Sequence, residues 1–124
     1  LAEFHPAGSL TLSIGIALGP DHAANPRELV ACAEAAMMTA KAAWLYDNDQ
    51  PAGEASNIAK YAAAEAAVGA VDHAIQIHGG NGLSAEYGLL PQWGLARLLR
   101  IAPVSREMIL NYVAQHSLAL PRSY

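Results

Sequence analysis

Between Gly53 and His78 one pattern runs without interruption: Tyr61, Ala64, Val68, Val71, Ile75 and His78 recur at three- and four-residue spacing. That recurrence lays a single stripe along a helix, whereas the period of two of a strand would scatter the same residues over both faces. Gly79-Gly80-Asn81-Gly82 follows at once. Glycine loses the most conformational freedom on joining a helix and readily takes the left-handed geometry that ends one, so this run is a stop. A long helix closed by a glycine-rich corner is the element around which the rest of the chain must be arranged.

Upstream, Asn25-Pro26-Arg27-Glu28 combines an N-capping Asn, Pro at the first helical position and Glu three residues after the cap, the signature of a helix start. Leu29, Cys32, Ala33, Ala36, Met37, Ala40 and Trp44 then form a stripe until Asp47-Asn48-Asp49 and Pro51 intervene, which predicts a first helix from about Pro26 to Tyr46. Downstream, Ser84-Ala85-Glu86-Tyr87 predicts a short helical turn, and Pro91 suits the start of a helix holding Trp93, Leu95, Leu98 and Leu99. Pro103 must end or kink that segment, because proline lacks the N–H a helix interior requires. Ser105-Arg106-Glu107 leads into a last helix with Met108, Leu110, Tyr112, Val113, Leu118 and Leu120, which stops before Pro121. Trp44, Trp93, Met37 and Met108 fall on apolar faces and are expected to anchor helix contacts.

The front of the chain differs. Leu10, Leu12, Ile14 and Ile16 alternate with smaller or polar residues, which predicts an extended strand, and Gly19-Pro20-Asp21 ends it as a turn. A single strand leaves its backbone groups unpaired, so either residues 1–8 turn back onto it or another chain does. The expected fold is mainly α: an up-down bundle of about four helices with one N-terminal β-strand or short hairpin, in a single domain over residues 1–124. Residues 1–24 form the strand and turn, residues 25–124 the bundle. Homo-oligomerisation through helix faces and the strand edge is expected to complete it.

Composition narrows the function. A chain of 124 residues holds one core, and although 53% of it is apolar, no run approaches the roughly 20 residues that span a bilayer. A net charge of -4 with no cluster of Lys or Arg argues against nucleic acid as a partner. Cys32 is the one cysteine, and His5, His22, His73, His78 and His116 match no metal-ligand spacing. Asp47-Asn48-Asp49 lacks the Gly and distal Glu of a calcium loop and reads as a helix-ending turn. No metal is expected. Leu1-Ala2-Glu3 carries no basic-then-apolar leader pattern, and a reducing cytoplasm is the expected compartment.

The segment Ala74-Ile-Gln-Ile-His-Gly-Gly-Asn-Gly-Leu-Ser-Ala-Glu-Tyr87 closely resembles the signature by which acyl-CoA dehydrogenases end one long helix and open the next. Similar wording lies in Lys41–Asn48, in Asn57–Tyr61 and in the last helix, so the resemblance covers about Ala33 to Tyr124, most of that family's C-terminal helical domain. Physically, a glycine-rich corner lets a diphosphate approach bare backbone N–H groups, and a Gln beside it can donate to or accept from a ligand. The resemblance implies that this corner contacts FAD of a neighbouring subunit through Gln76, Ile77, His78, Gly79 and Gly80. It places Ser105 and Glu107 where the family has further flavin-contacting polar residues. The plainer reading is that Gly79-Gly80-Asn81-Gly82 only caps a helix. Counted from Glu86-Tyr87, the family's usual catalytic Glu falls at Pro103. Proline has no titratable group with which to abstract a proton, so no catalytic residue is assigned and activity of the chain by itself is not expected.

Leu10–Ala17, Glu28–Met37 and Ala40-Lys41 also resemble the closing strand and helix of GGDEF diguanylate cyclases. That family's Gly-Gly-Asp/Glu-Glu-Phe turn is absent from the sequence, so cyclase activity is not expected. Two resemblances meeting in one alanine-rich helix suggest a recombined or engineered chimera, joined where both sources share a 3.6-residue stripe. A diverged N-terminus with a coincidental likeness is the alternative.

Overall fold

The computed structural model describes residues 26–122, so the strand expected at Leu10–Ala17 and the turn after it lie outside the described residues. The first helix, α1, spans Pro26–Asp47, and its end has a local cause. The Asn48 side chain donates to the Trp44 carbonyl at 2.8 Å, the Gln50 N–H bonds to the Leu45 carbonyl, and Asp49 sits at φ 54. Asn and Asp tolerate this left-handed geometry better than most residues, so Asp47-Asn48-Asp49 is the helix-ending turn its composition predicted.

The second helix, α2, spans Gly53–His78 and is the spine of the fold. At 1.5 Å per residue it is about 39 Å long, and α1, α3 and α4 all contact it. Glu28 near the start of α1 pairs with His73 near the end of α2, so the two helices lie antiparallel. After a 3₁₀ segment at Gly79–Leu83 and another at Ala85–Tyr87, α3 runs Leu89–Leu98 and α4 runs Arg106–His116. Pro91 is the third residue of α3, in the first turn where its missing N–H costs nothing. The fold is mainly helical, with four α-helices among the described residues, none long and apolar enough to cross a membrane.

Two expectations are corrected here. The last helix stops at His116 rather than just before Pro121. Ala119 takes φ 52, and the Leu120 N–H reaches back to the Ala114 carbonyl at 2.9 Å, so Leu118 and Leu120 belong to a closing turn and stand exposed. The apolar pattern continued past the point where the backbone hydrogen bonds stopped.

The second correction concerns the core. Trp44, Trp93 and Met108 are 41%, 36% and 54% exposed, and the side chains enclosed instead are Ala35, Ala55, Ala59, Ala64, Val68, Ala96 and Ile109. Met37 is half-buried. On α1 the enclosed position is Ala35, while Ala36, expected on the inner stripe, is exposed. Alanine lets helices approach closely, so the closest contacts form where side chains are smallest and the bulky residues lie to either side. Many large apolar side chains remain on the surface, Ile77, Leu95, Ile101 and Leu118 among them.

Candidate functional site

The corner at the end of α2 is built by three glycines that differ in what the fold asks of them. Gly79 caps the helix at φ 55 and ψ -134 and bonds its N–H to the Gln76 carbonyl, a conformation in which a side chain is strained. Gly82 is buried, because the 3₁₀ segment folds back on α2; a Cβ there would lie 2.6 Å from the Ile75 carbonyl oxygen and 2.9 Å from the Ile75 Cα. Gly80 has neither constraint: its φ is not in the positive region and nothing within 4 Å would meet a Cβ. The fold gives no reason for glycine at position 80.

Around it the surface is open. Gln76, Ile77, His78, Gly79, Gly80 and Asn81 are all outward-facing, Ile77 at 75% exposure despite its apolar side chain. His78 Nδ1 lies 2.8 Å from the Ala74 carbonyl. Since a carbonyl only accepts, Nδ1 carries the proton and Nε2 is left facing outward. The ring stands edge-on to Tyr87 at 5.4 Å, which fixes its plane. The five residues Gln76–Gly80 thus share one helix end, with backbone and imidazole both preset.

Ser105 and Glu107 are not part of that surface. Ser105 is the N-cap of α4, its hydroxyl accepting from the Met108 N–H at 3.3 Å, and Glu107 is exposed in the first turn. The neighbouring Arg106 lies against Glu65 and over the Tyr61 ring, at a level of α2 about 16 Å along its axis from Gln76. The structure therefore divides the candidate residues between two places. An open groove between α1 and α2, lined by Thr39, Ala43, Tyr46, Ser56 and Ala59 among others, adjoins neither the corner nor α4's first turn in its lining.

A cluster the sequence did not signal lies beside the second place. Lys60 donates to the Leu99 and Val104 carbonyls at 2.5 and 2.6 Å, and Arg100 donates to Glu65 at 2.7 Å. These partners are 35 to 44 residues apart in the chain, and no motif connects them. The turn they hold carries Pro103, which is exposed and follows Ala102 through a cis peptide bond. The carboxylate contacting this turn is Glu65, which meets Arg100 at 2.7 Å and stands 3.7 Å from Arg106. Among the described residues no group of three or more His, Cys, Asp or Glu is placed to hold a metal ion.

Residues 27–118 match the acyl-CoA dehydrogenase C-terminal domain family. The chain belongs to that family. It is 63% identical over 92 residues to acyl-CoA dehydrogenase FadE12 of Mycobacterium tuberculosis, covering 73% of this chain and 24% of that protein. It is also 38% identical over 84 residues to the probable acyl-CoA dehydrogenase YngJ of Bacillus subtilis, covering 68% of this chain and 22% of the relative. A (2S)-methylsuccinyl-CoA dehydrogenase of Cereibacter sphaeroides is 34% identical over 84 residues, covering 68% of this chain and 15% of that one. The chain spans about a quarter or less of the length of these relatives. The family match begins at residue 27, ahead of the Ala33 suggested by sequence wording, and takes in residues 27–41, so the α1 stretch with cyclase-like wording lies inside the acyl-CoA dehydrogenase domain.

Proposed function

We propose that this chain is the flavin-contacting helical module of an acyl-CoA dehydrogenase-like protein, without catalysis of its own, and that it presents two separate sets of contacts to the FAD of a neighbouring subunit, the Gln76–Gly80 corner and the polar start of α4 at Ser105 and Glu107. The observation that carries this reading is Gly80. A glycine that the backbone conformation does not require and that has open space around it has a use if something outside must approach the backbone closely, and a flavin diphosphate has that shape and charge. Gln76 and the outward Nε2 of His78 supply polar groups beside it. FAD, when bound, supplies the electron acceptance of the family's dehydrogenation, and this chain's residues bind and orient it. Pro103 supplies no base, which is why catalysis is left to groups outside this chain.

The many exposed apolar side chains favour a homo-oligomer, which would bury them. A monomeric mass by light scattering at high micromolar concentration contradicts that part of the reading. The chimera suggested by the cyclase-like wording of Leu10–Lys41 is tested by sequencing the parent reading frame upstream of Leu1 for cyclase or dehydrogenase sequence.

The flavin contact is tested by adding FAD to the purified chain and following flavin absorbance and induced circular dichroism. Binding that Gly80→Ala weakens about tenfold, with an unchanged melting temperature, supports the reading. Absence of any flavin signal at saturating FAD, or equal binding by Gly80→Ala, counts against it.

A further inference from the structure

One ammonium gathers two backbone carbonyls of the turn between α3 and α4. The carbonyls of Leu99 and Val104, five residues apart, both accept from Lys60 Nζ on α2, at 2.5 and 2.6 Å. One compact cation can satisfy both only if the turn curls around it, so the lysine ties the two ends of this stretch together. Within the same turn the Arg106 N–H bonds to the Arg100 carbonyl at 2.9 Å. On its two sides Arg100 and Arg106 reach Glu65, five residues beyond Lys60 on α2, at 2.7 and 3.7 Å. Arg106 also lies 5.7 Å above the Tyr61 ring.

What this turn delivers is the start of α4: Ser105 as the N-cap and Glu107 in the first turn. An apolar residue at position 60 would leave two carbonyls without their donor and free the turn to shift against α2. A misplacement of about 1 Å in a supporting segment is enough to weaken a site by an order of magnitude or more.

We propose that Lys60 is a positioning residue: it fixes the Leu99–Arg106 turn, and through it the placement of Ser105 and Glu107 as a preformed polar edge for the flavin. Glu65 assists by pinning the arginines at either side. The flavin part of this inference rests on the function proposed above, whereas the positioning part stands on the geometry of the turn alone.

The two parts separate in one experiment. Amide nitrogen–proton spectra and hydrogen exchange are recorded for the 124-residue chain, for Lys60→Met and for Lys60→Arg, each with and without FAD. In Lys60→Met the cross-peaks of Ser105, Arg106 and Glu107 shift and the Arg106 amide exchanges at least tenfold faster, while Gln76–Gly80 stay in place; FAD binding weakens about tenfold. Lys60→Arg, which restores a donor, brings both back toward wild type. Unmoved Ser105–Glu107 signals in Lys60→Met overturn the proposal, as does a general collapse of helix signals, which would make Lys60 a folding residue. Wild-type chain that gives no response to FAD removes the flavin reading, and the shifts at Ser105–Glu107 still decide the positioning role.

Discussion

Gly82 lies against Ile75 so closely that a single added carbon would sit 2.6 Å from the Ile75 carbonyl oxygen. Backbone, not a flexible side chain, is on the other side of that contact, so nothing can swing out of the way. Gly82→Ala is expected to destabilise the chain by about 1–3 kcal/mol, the usual range for overpacking a closed site. Gly80→Ala, two residues away in open space, is expected to stay within about 0.5 kcal/mol of wild type. Thermal melts of the two variants side by side check the contrast, and equal losses would refute the division of the corner into a sterically required glycine and an unconstrained one.

Ile109 is 1% exposed and is the one large side chain so fully enclosed among the described residues. With alanines making up most of the remaining core, little can move in to fill a hole. Ile109→Ala is expected to cost about 2–5 kcal/mol, which denaturant unfolding would measure. A loss under about 1 kcal/mol would mean that α4 contributes little to holding α2.

Gly69 in α2 and Gly94 in α3 are helical glycines with nothing within 4 Å of the point where a Cβ would sit. Replacing either by alanine restricts the unfolded chain without creating a clash, and should stabilise the fold by about 0.4–1 kcal/mol. A raised melting point checks this at each site. A fall at Gly94→Ala, together with a lower mass by light scattering, would instead place another helix against α3.

The limits of α1 and the end of α2 were legible because each is signalled locally, whereas the end of α4 at His116 was not, since the apolar pattern runs on past it. Pro26 opens α1, Asn48 closes it through its own side chain, and Gly79 ends α2 at a positive φ. The glycine-rich corner at the end of α2 was legible for the same reason, as one contiguous stretch. The core was not: burial here follows closeness of approach, which alanine permits, and a reading weighted by hydrophobic size selects Trp44, Trp93 and Met108 instead. The division of the candidate residues into two places was also hidden, since it depends on where α4 docks along α2. The Lys60 and Glu65 contacts that reveal it span 35 to 44 residues and obey no local spacing.

The Glu65–Arg100 pair offers the sharpest energetic test of how that docking is held. The two side chains meet at 2.7 Å while 28% and 20% exposed, so their attraction is stronger than that of a fully solvated pair and weaker than that of a buried one. Two buried atoms, Glu65 Oε1 and Arg100 Nε, have no hydrogen-bond partner, and Arg106 Nε stands off from Glu65 Oε1 at 3.7 Å. Removing one member therefore leaves the other partly desolvated with less to compensate it. Arg100→Met is expected to cost about 1–2 kcal/mol, below the full range for a charged hydrogen bond because of solvent screening. Glu65→Gln should cost less, since an amide oxygen still accepts. The double variant should lose less than the sum, by about 0.5–1 kcal/mol, because each single change already breaks the shared contact. Denaturant melts of the four proteins close this cycle, and strictly additive losses would mean that the pair adds nothing to the attachment of the α3–α4 turn.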